Sequence, residues 1–115
     1  MNGLDLNERA GQTTGDASTA YVLKFERVKT GERWEVDVLA FRDNTTSPSR
    51  IDVYKEGHGY NHYVGQVQPA VKGYVYTLDR KFWVGPGETL VVEFRGGGSA
   101  DDMEAWITGT QWVKE

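Results

Sequence analysis

The sequence predicts an all-β chain: an antiparallel β-sandwich or jelly roll of seven to eight strands, preceded by an extended N-terminal arm. Three observations carry this. Apolar and polar residues alternate with a period of two in run after run, turn residues recur roughly every eight to twelve positions, and no apolar pattern keeps a helical period through three turns. The composition agrees, because 14 Gly with 4 Trp, 6 Tyr and 4 Phe at only 38% apolar residues suits short strands joined by glycine turns. A length of 115 residues allows one domain and not two ordinary ones.

Residues 1–20 are read as the arm and residues 21–115 as the sandwich domain. The arm carries three Gly and three Thr, and its few large apolar residues, Leu4 and Leu6, are too sparse to build a face. Ordering such a segment costs on the order of 1 kcal/mol per residue, so it must lie on its own domain or on a neighbouring molecule. In the second case Leu4 and Leu6 are its anchors. The first strand follows from Tyr21, Leu23 and Phe25 alternating with Lys24 and Glu26. After a turn at Thr30 and Gly31, Trp34, Val36, Val38 and Ala40 alternate with charge until Leu39 and Phe41 place apolar residues on the second face too. A polar loop spans Asp43 to Pro48, and Ile51 with Val53 mark one face of the next strand, leaving Tyr54 out of phase. Further strands are read from about Tyr60 to Gln68, Tyr74 to Leu78 and Lys81 to Val84. Gly85-Pro86-Gly87 fits a type II turn, with Pro presetting φ and Gly supplying a positive φ. Leu90, Val92 and Phe94 make the following strand, which ends at Gly96 to Gly98, and the last strand runs from about Met103 to Val113. Met103 to Ala105 favour a helix locally, but Ile107 to Thr110 end it before a second turn.

Charge and residue types exclude several functions. A net charge of −4 removes the basic footprint of a nucleic-acid binder, and zero Cys excludes disulfides, thiolate metal sites and a Cys nucleophile. No run approaches the length of a membrane span and no signal-peptide pattern opens the chain, so a soluble protein without membrane attachment is expected. The only histidines, His58 and His62, lie in a glycine-punctuated loop entering a strand; extended backbone would hold them roughly 13 Å apart, too far for one ion. None of the four serines sits in a nucleophile elbow, and Gly96-Gly97-Gly98-Ser99 lacks the ending of a phosphate loop, so it reads as a flexible hairpin. Asp101, Asp102 and Glu104 form the densest acidic cluster but not the order of a calcium loop. Asp37, Glu93 and Glu104 occupy polar phases of strands, where solvated charge is the default. The expectation is a protein that is not an enzyme, with no metal and no cofactor.

The aromatic residues point outward. In the last strand Met103, Ala105, Ile107 and Gly109 share one face, which leaves Trp106 and Trp112 among Glu104, Thr108 and Thr110 on the other. Tryptophan on a nominally solvent face marks a partner surface, unless the sandwich buries both faces of the strand or the arm lies over Trp106 and Trp112, and Trp83 falls in a similar position. Leu4, Leu6, Trp83, Trp106 and Trp112 are therefore the expected partner-binding residues.

The run from Phe82 through Trp83, Gly85-Pro86-Gly87 and Leu90 to Phe94, followed by the glycine loop and Glu104-Ala105-Trp106-Ile107-Thr108-Gly109, resembles small jelly-roll or β-sandwich structural proteins of tailed phages, such as head decoration and minor capsid-associated proteins. The resemblance spans residues 82–109. It implies a non-enzymatic virion component on the capsid surface, forming a homo-oligomer and contacting the major capsid protein or other virion subunits through its arm and aromatic anchors. The alternative is a carbohydrate-binding sandwich, with a glycan stacked on Trp106, Trp112 and Tyr60 or Tyr63.

Overall fold

The computed structural model describes residues 2–11, 20–96 and 101–114. Residues 12–19 of the expected arm, and Gly97, Gly98 and Ser99 of the expected glycine hairpin, lie outside them. Nine strands are present among the described residues, and no helix: β1 (Asn2–Gly11), β2 (Ala20–Lys24), β3 (Glu32–Asp43), β4 (Arg50–Gly57), β5 (Tyr60–Val67), β6 (Tyr76–Leu78), β7 (Phe82–Val84), β8 (Thr89–Arg95) and β9 (Met103–Val113). No helix of the described residues is long and apolar enough to cross a membrane.

The strands form two antiparallel sheets packed face to face. Sheet A has the order β1-β9-β3-β6, with the short β7 also paired to β3, and sheet B has the order β2-β8-β4-β5. The partners nest: β1 with β9, β2 with β8, β3 with β6 and β7, and β4 with β5. One long hairpin rolled up on itself gives this nesting, which is the jelly-roll arrangement. β6 and β7 together occupy the place of one strand in sheet A, and the strand beyond the expected seven to eight is β1, which lies in the segment read as the arm.

Of the two placements expected for the arm, residues 2–11 take the one on their own domain. They form β1, an edge strand paired along its whole length with β9, from Asn2 opposite Val113 to Gly11 opposite Glu104. Leu6 is 3% exposed and Ala10 is 4% exposed, both within the core. Their spacing of four residues fits a strand with one face on the core, and the intervening Glu8 masked that alternation in the sequence. Leu6 is therefore a core residue and offers no partner anchor, whereas Leu4 is 54% exposed.

The two-faced character of β3 comes from a bulge. Val36 lies opposite Gly109 and Val38 opposite Thr108, so Asp37 is an extra residue and the inward phase switches from Trp34 and Val36 to Leu39 and Phe41. A second bulge places Val64 of β5 between the pairs Val53–Gly65 and Tyr54–Tyr63. β4 and β5 join through His58 and Gly59, both at positive φ, a two-residue turn of type I′. This replaces the expected loop around the histidines with a tight hairpin. The Gly85–Glu88 turn is type II as expected, with Gly87 at φ 82° and the Glu88 amide donating to the Gly85 carbonyl.

The core lies between the sheets. Trp34, Val36, Leu39, Phe41, Ala105 and Ile107 of sheet A meet Leu23, Ile51, Val53, Leu90, Val92 and Phe94 of sheet B, all buried. Gly65 permits a close approach at one open edge, since a methyl group there would sit 2.8 Å from Leu78 Cδ1 of β6.

Candidate functional site: the outer face of sheet A

The outward phase of sheet A presents Asn7 and Arg9 from β1, the even-numbered residues 104 to 112 from β9, Arg33, Glu35, Val38, Ala40 and Arg42 from β3, and Trp83 from β7. Of the four tryptophans only Trp34 belongs to the core; Trp106 and Trp112 are half-buried on the outer face and Trp83 is 41% exposed there. The half-burial comes from neighbours across the register, and it divides the face into two ends.

At one end Trp112 and Trp83 flank β3. Arg33 lies opposite Trp112, and its guanidinium sits 4.3 Å from the centre of the Trp83 ring. The Trp112 Nε1–H donates to Glu35 Oε1 at 3.3 Å, and its ring lies over Gly3 of β1, where a methyl group would come within 3.1 Å of the indole. Lys81 Nζ completes the cluster, 3.6 Å from Glu35 and 3.7 Å from Asp37. Fixed aromatic rings bordered by charges of both signs have the make-up of a protein contact surface.

Six residues along β9, about 20 Å at the usual strand rise, Trp106 stands opposite Arg9 on one side and Ala40 on the other. Beside it Glu104 is 8% exposed and accepts from Arg9 Nη2 and Arg42 Nε. Burial alone would raise the Glu104 carboxyl, but the hydrogen bonds and charges of Arg42 and Arg9 outweigh it and hold the group below its ordinary 4.5. The solvated carboxylate expected at this position is thus a clamped one. A carboxylate held ionised between two guanidinium groups positions them and is a poor proton donor.

Asp101, Asp102 and Glu104 do not converge. Asp102 bonds Asn44 and Thr45, Glu104 faces the arginines, and Asp101, 3% exposed, turns to the equally buried Asp43 and accepts from Thr46 Oγ1 at 3.0 Å. Among the described residues no three His, Asp or Glu side chains gather as a metal site requires. Burial, and after it the hydrogen bond with Asp101, raises Asp43 from its ordinary 3.8 to about 6, against the opposing amide bonds from Thr45 and Thr46. The folded state thus holds this proton more tightly than the unfolded chain. The resulting stabilisation is complete below about 4 and is lost as pH rises through about 6. We expect a melting temperature higher at pH 5 than at pH 7.5 by a few degrees, a difference on the order of 1 kcal/mol. Asp43→Asn should flatten that dependence. Equal melting at the two pH values by circular dichroism would contradict it. Glu104 acts in the opposite sense, but only below its ordinary value, outside this window.

Tyr60 and Tyr63 are 59% and 64% exposed on β5, the edge of sheet B. They point to opposite sides of the strand: the Tyr63 ring meets Tyr54 at a tilt, 5.2 Å between centres, and Tyr60 meets His62 edge-on at 4.6 Å. Neither shares a face with Trp106 or Trp112, so a glycan platform combining these tyrosines with the tryptophans is not formed. Sheet B's outer face is instead tied by polar contacts. Asp52, 2% exposed, pairs with Arg50 and Arg95 and accepts from Gln66, and the Tyr54 hydroxyl donates to Glu93, where burial and that negative charge push its pKa well above 10.0.

Arg9, Arg42 and the Asp43–Asp101 pair were not singled out in the sequence. Their signal lies in the register, since Arg9 and Arg42 reach Glu104 only once β1 and β3 are known to flank β9. No family model and no curated protein matches the chain.

Proposed function

We infer that the protein is a non-enzymatic structural component of a virion, a capsid decoration or minor head protein, attached to a capsid lattice beside further copies of itself. The observation that carries this reading is the Trp83–Arg33–Trp112 end of sheet A, an exposed aromatic surface with its rings fixed and its rim charged. The stretch that resembles phage head proteins supplies β7, β8 and most of β9, and so contributes Trp83 to that surface. A flat outer face on a jelly roll suits lattice attachment because the sheet holds its side chains rigidly, which lowers the entropy lost on docking. With β1 folded into its own sheet, attachment runs through this face and not through a free arm.

The test is composition of particles. Particles assembled from the genome that encodes this chain should carry it, and Trp83→Ala with Trp112→Ala should leave the folded protein in the supernatant after sedimentation. The double variant should bind at least about a hundredfold more weakly, as loss of two aromatic anchors predicts. Particles lacking the wild-type chain, or retaining the double variant in full, would refute the reading.

A further inference from the structure

The opposite end of the same face carries a cleft of about 400 Å³ lined by Asn7, Arg9, Arg42, Glu104 and Trp106. Its size falls in the range of about 300–1,000 Å³ typical of small-molecule sites. Its wall is the half-buried Trp106 ring, with the Arg42 guanidinium carbon 6.0 Å from the ring centre. Its floor is Glu104, whose two oxygens are each engaged by a different arginine. Among the described residues neither arginine has a second acidic partner, so two positive charges face one negative charge and the cleft keeps a surplus of one.

We propose that this cleft binds an acidic saccharide, with a pyranose ring stacked on Trp106 and its carboxylate held by the arginines. The apolar C–H face of a pyranose packs on an indole as another ring does. The Asn7 amide and the guanidinium N–H groups not engaged by Glu104 are donors lining the same cleft for the ring's hydroxyls, and the planar guanidinium matches a carboxylate through paired N–H···O bonds. The clamp on Glu104 fixes both guanidinium groups before the ligand arrives, so little side-chain entropy is lost on binding. A neutral sugar leaves the surplus charge unused. A long polyanion meets a chain of net charge −4 around the cleft. This site lies about 20 Å along β9 from the proposed capsid-contact end and does not depend on it.

The experiment titrates the full chain with 3′-sialyllactose and trigalacturonate, with lactose as the neutral control, read by tryptophan fluorescence and saturation-transfer NMR. At least one acid should bind about tenfold more tightly than lactose. Arg9→Gln, which removes a side chain that is 70% exposed and leaves the Arg42–Glu104 pair in place, should abolish most of that preference and leave lactose unchanged. Trp106→Ala should weaken every sugar about tenfold, and Trp106→Phe, which keeps a ring, should weaken them less. Trp83→Ala should change nothing here, while the same substitution bears on capsid attachment. Each variant is first shown to melt cooperatively. No saturation by either acid up to about 10 mM, equal affinity for acid and lactose, equal displacement by AMP, or binding that survives Trp106→Ala would overturn the assignment.

Discussion

Gly109→Ala should cost the protein about 3 kcal/mol or more and lower its melting temperature by more than ~10 °C. Gly109 sits on β9 opposite the β3 bulge, and a methyl group on it would lie 1.9 Å from the Glu35 carbonyl oxygen and 3.1 Å from the Asp37 amide nitrogen. Both are backbone atoms, so no rotamer change relieves the overlap; β3 and β9 must separate, and they form the central pair of sheet A. Gly59→Ala makes the useful contrast. That glycine is at φ 86° with open space around it, so alanine there meets only backbone strain, about 1 kcal/mol. Thermal and urea melts of the two variants should differ clearly. A Gly109→Ala protein that melts within ~3 °C of the wild type would mean that the bulge can be absorbed without loss of the β3–β9 register.

Deleting residues 2–11 should remove about 5 kcal/mol or more, comparable to the whole stability of an ordinary small domain. Leu6 and Ala10 leave the core, and burying a leucine alone is worth about 2–3 kcal/mol. The β1–β9 ladder is lost over its entire length, exposing the edge of β9. Arg9 also leaves Glu104 with one partner in a site that is 8% exposed. The truncated chain should be aggregated or lack a cooperative transition by circular dichroism. A truncated chain that melts within ~5 °C of the full one would restore the description of this segment as an arm.

Most of the strand pattern was legible because β-structure writes itself at period two wherever one face meets the core. β8 and β9 show this, with Leu90, Val92 and Phe94 and with Met103, Ala105 and Ile107 all inward and buried. The phase change within β3 was also visible, but only as a strand with two apolar faces; periodicity cannot distinguish burial on both sides from one inserted residue, and Asp37 decides it. β1 was missed because an edge strand needs little inward apolar surface. Leu6 and Ala10 suffice once β9 supplies the partner, and nothing local in a stretch of Gly, Asn and charge announces a partner a hundred positions away. The outward tryptophans were readable from phase alone. The cleft beside Trp106 was not, because Arg9, Arg42 and Glu104 come from three strands that meet only through pairing. The histidine hairpin shows a different limit: His58 takes a positive φ that glycine usually supplies, so the I′ turn lacked its usual sequence signature.

The nested pairing also orders events during synthesis. β1 and β3 flank the same strand, β9, and β9 follows the other eight described strands in the chain. Until β9 leaves the ribosome, sheet A has no centre, whereas β4 and β5 already form a tight hairpin and β8 can join β2 and β4 to complete sheet B. The two sheets are therefore completed by a single closure that joins β9 to β1, a step of high contact order that is slow relative to local hairpin formation. During that interval β1 has no partner strand, and the polar residues of its outward phase, Asp5, Asn7 and Arg9, are of the kind that disfavours pairing with a wrong neighbour.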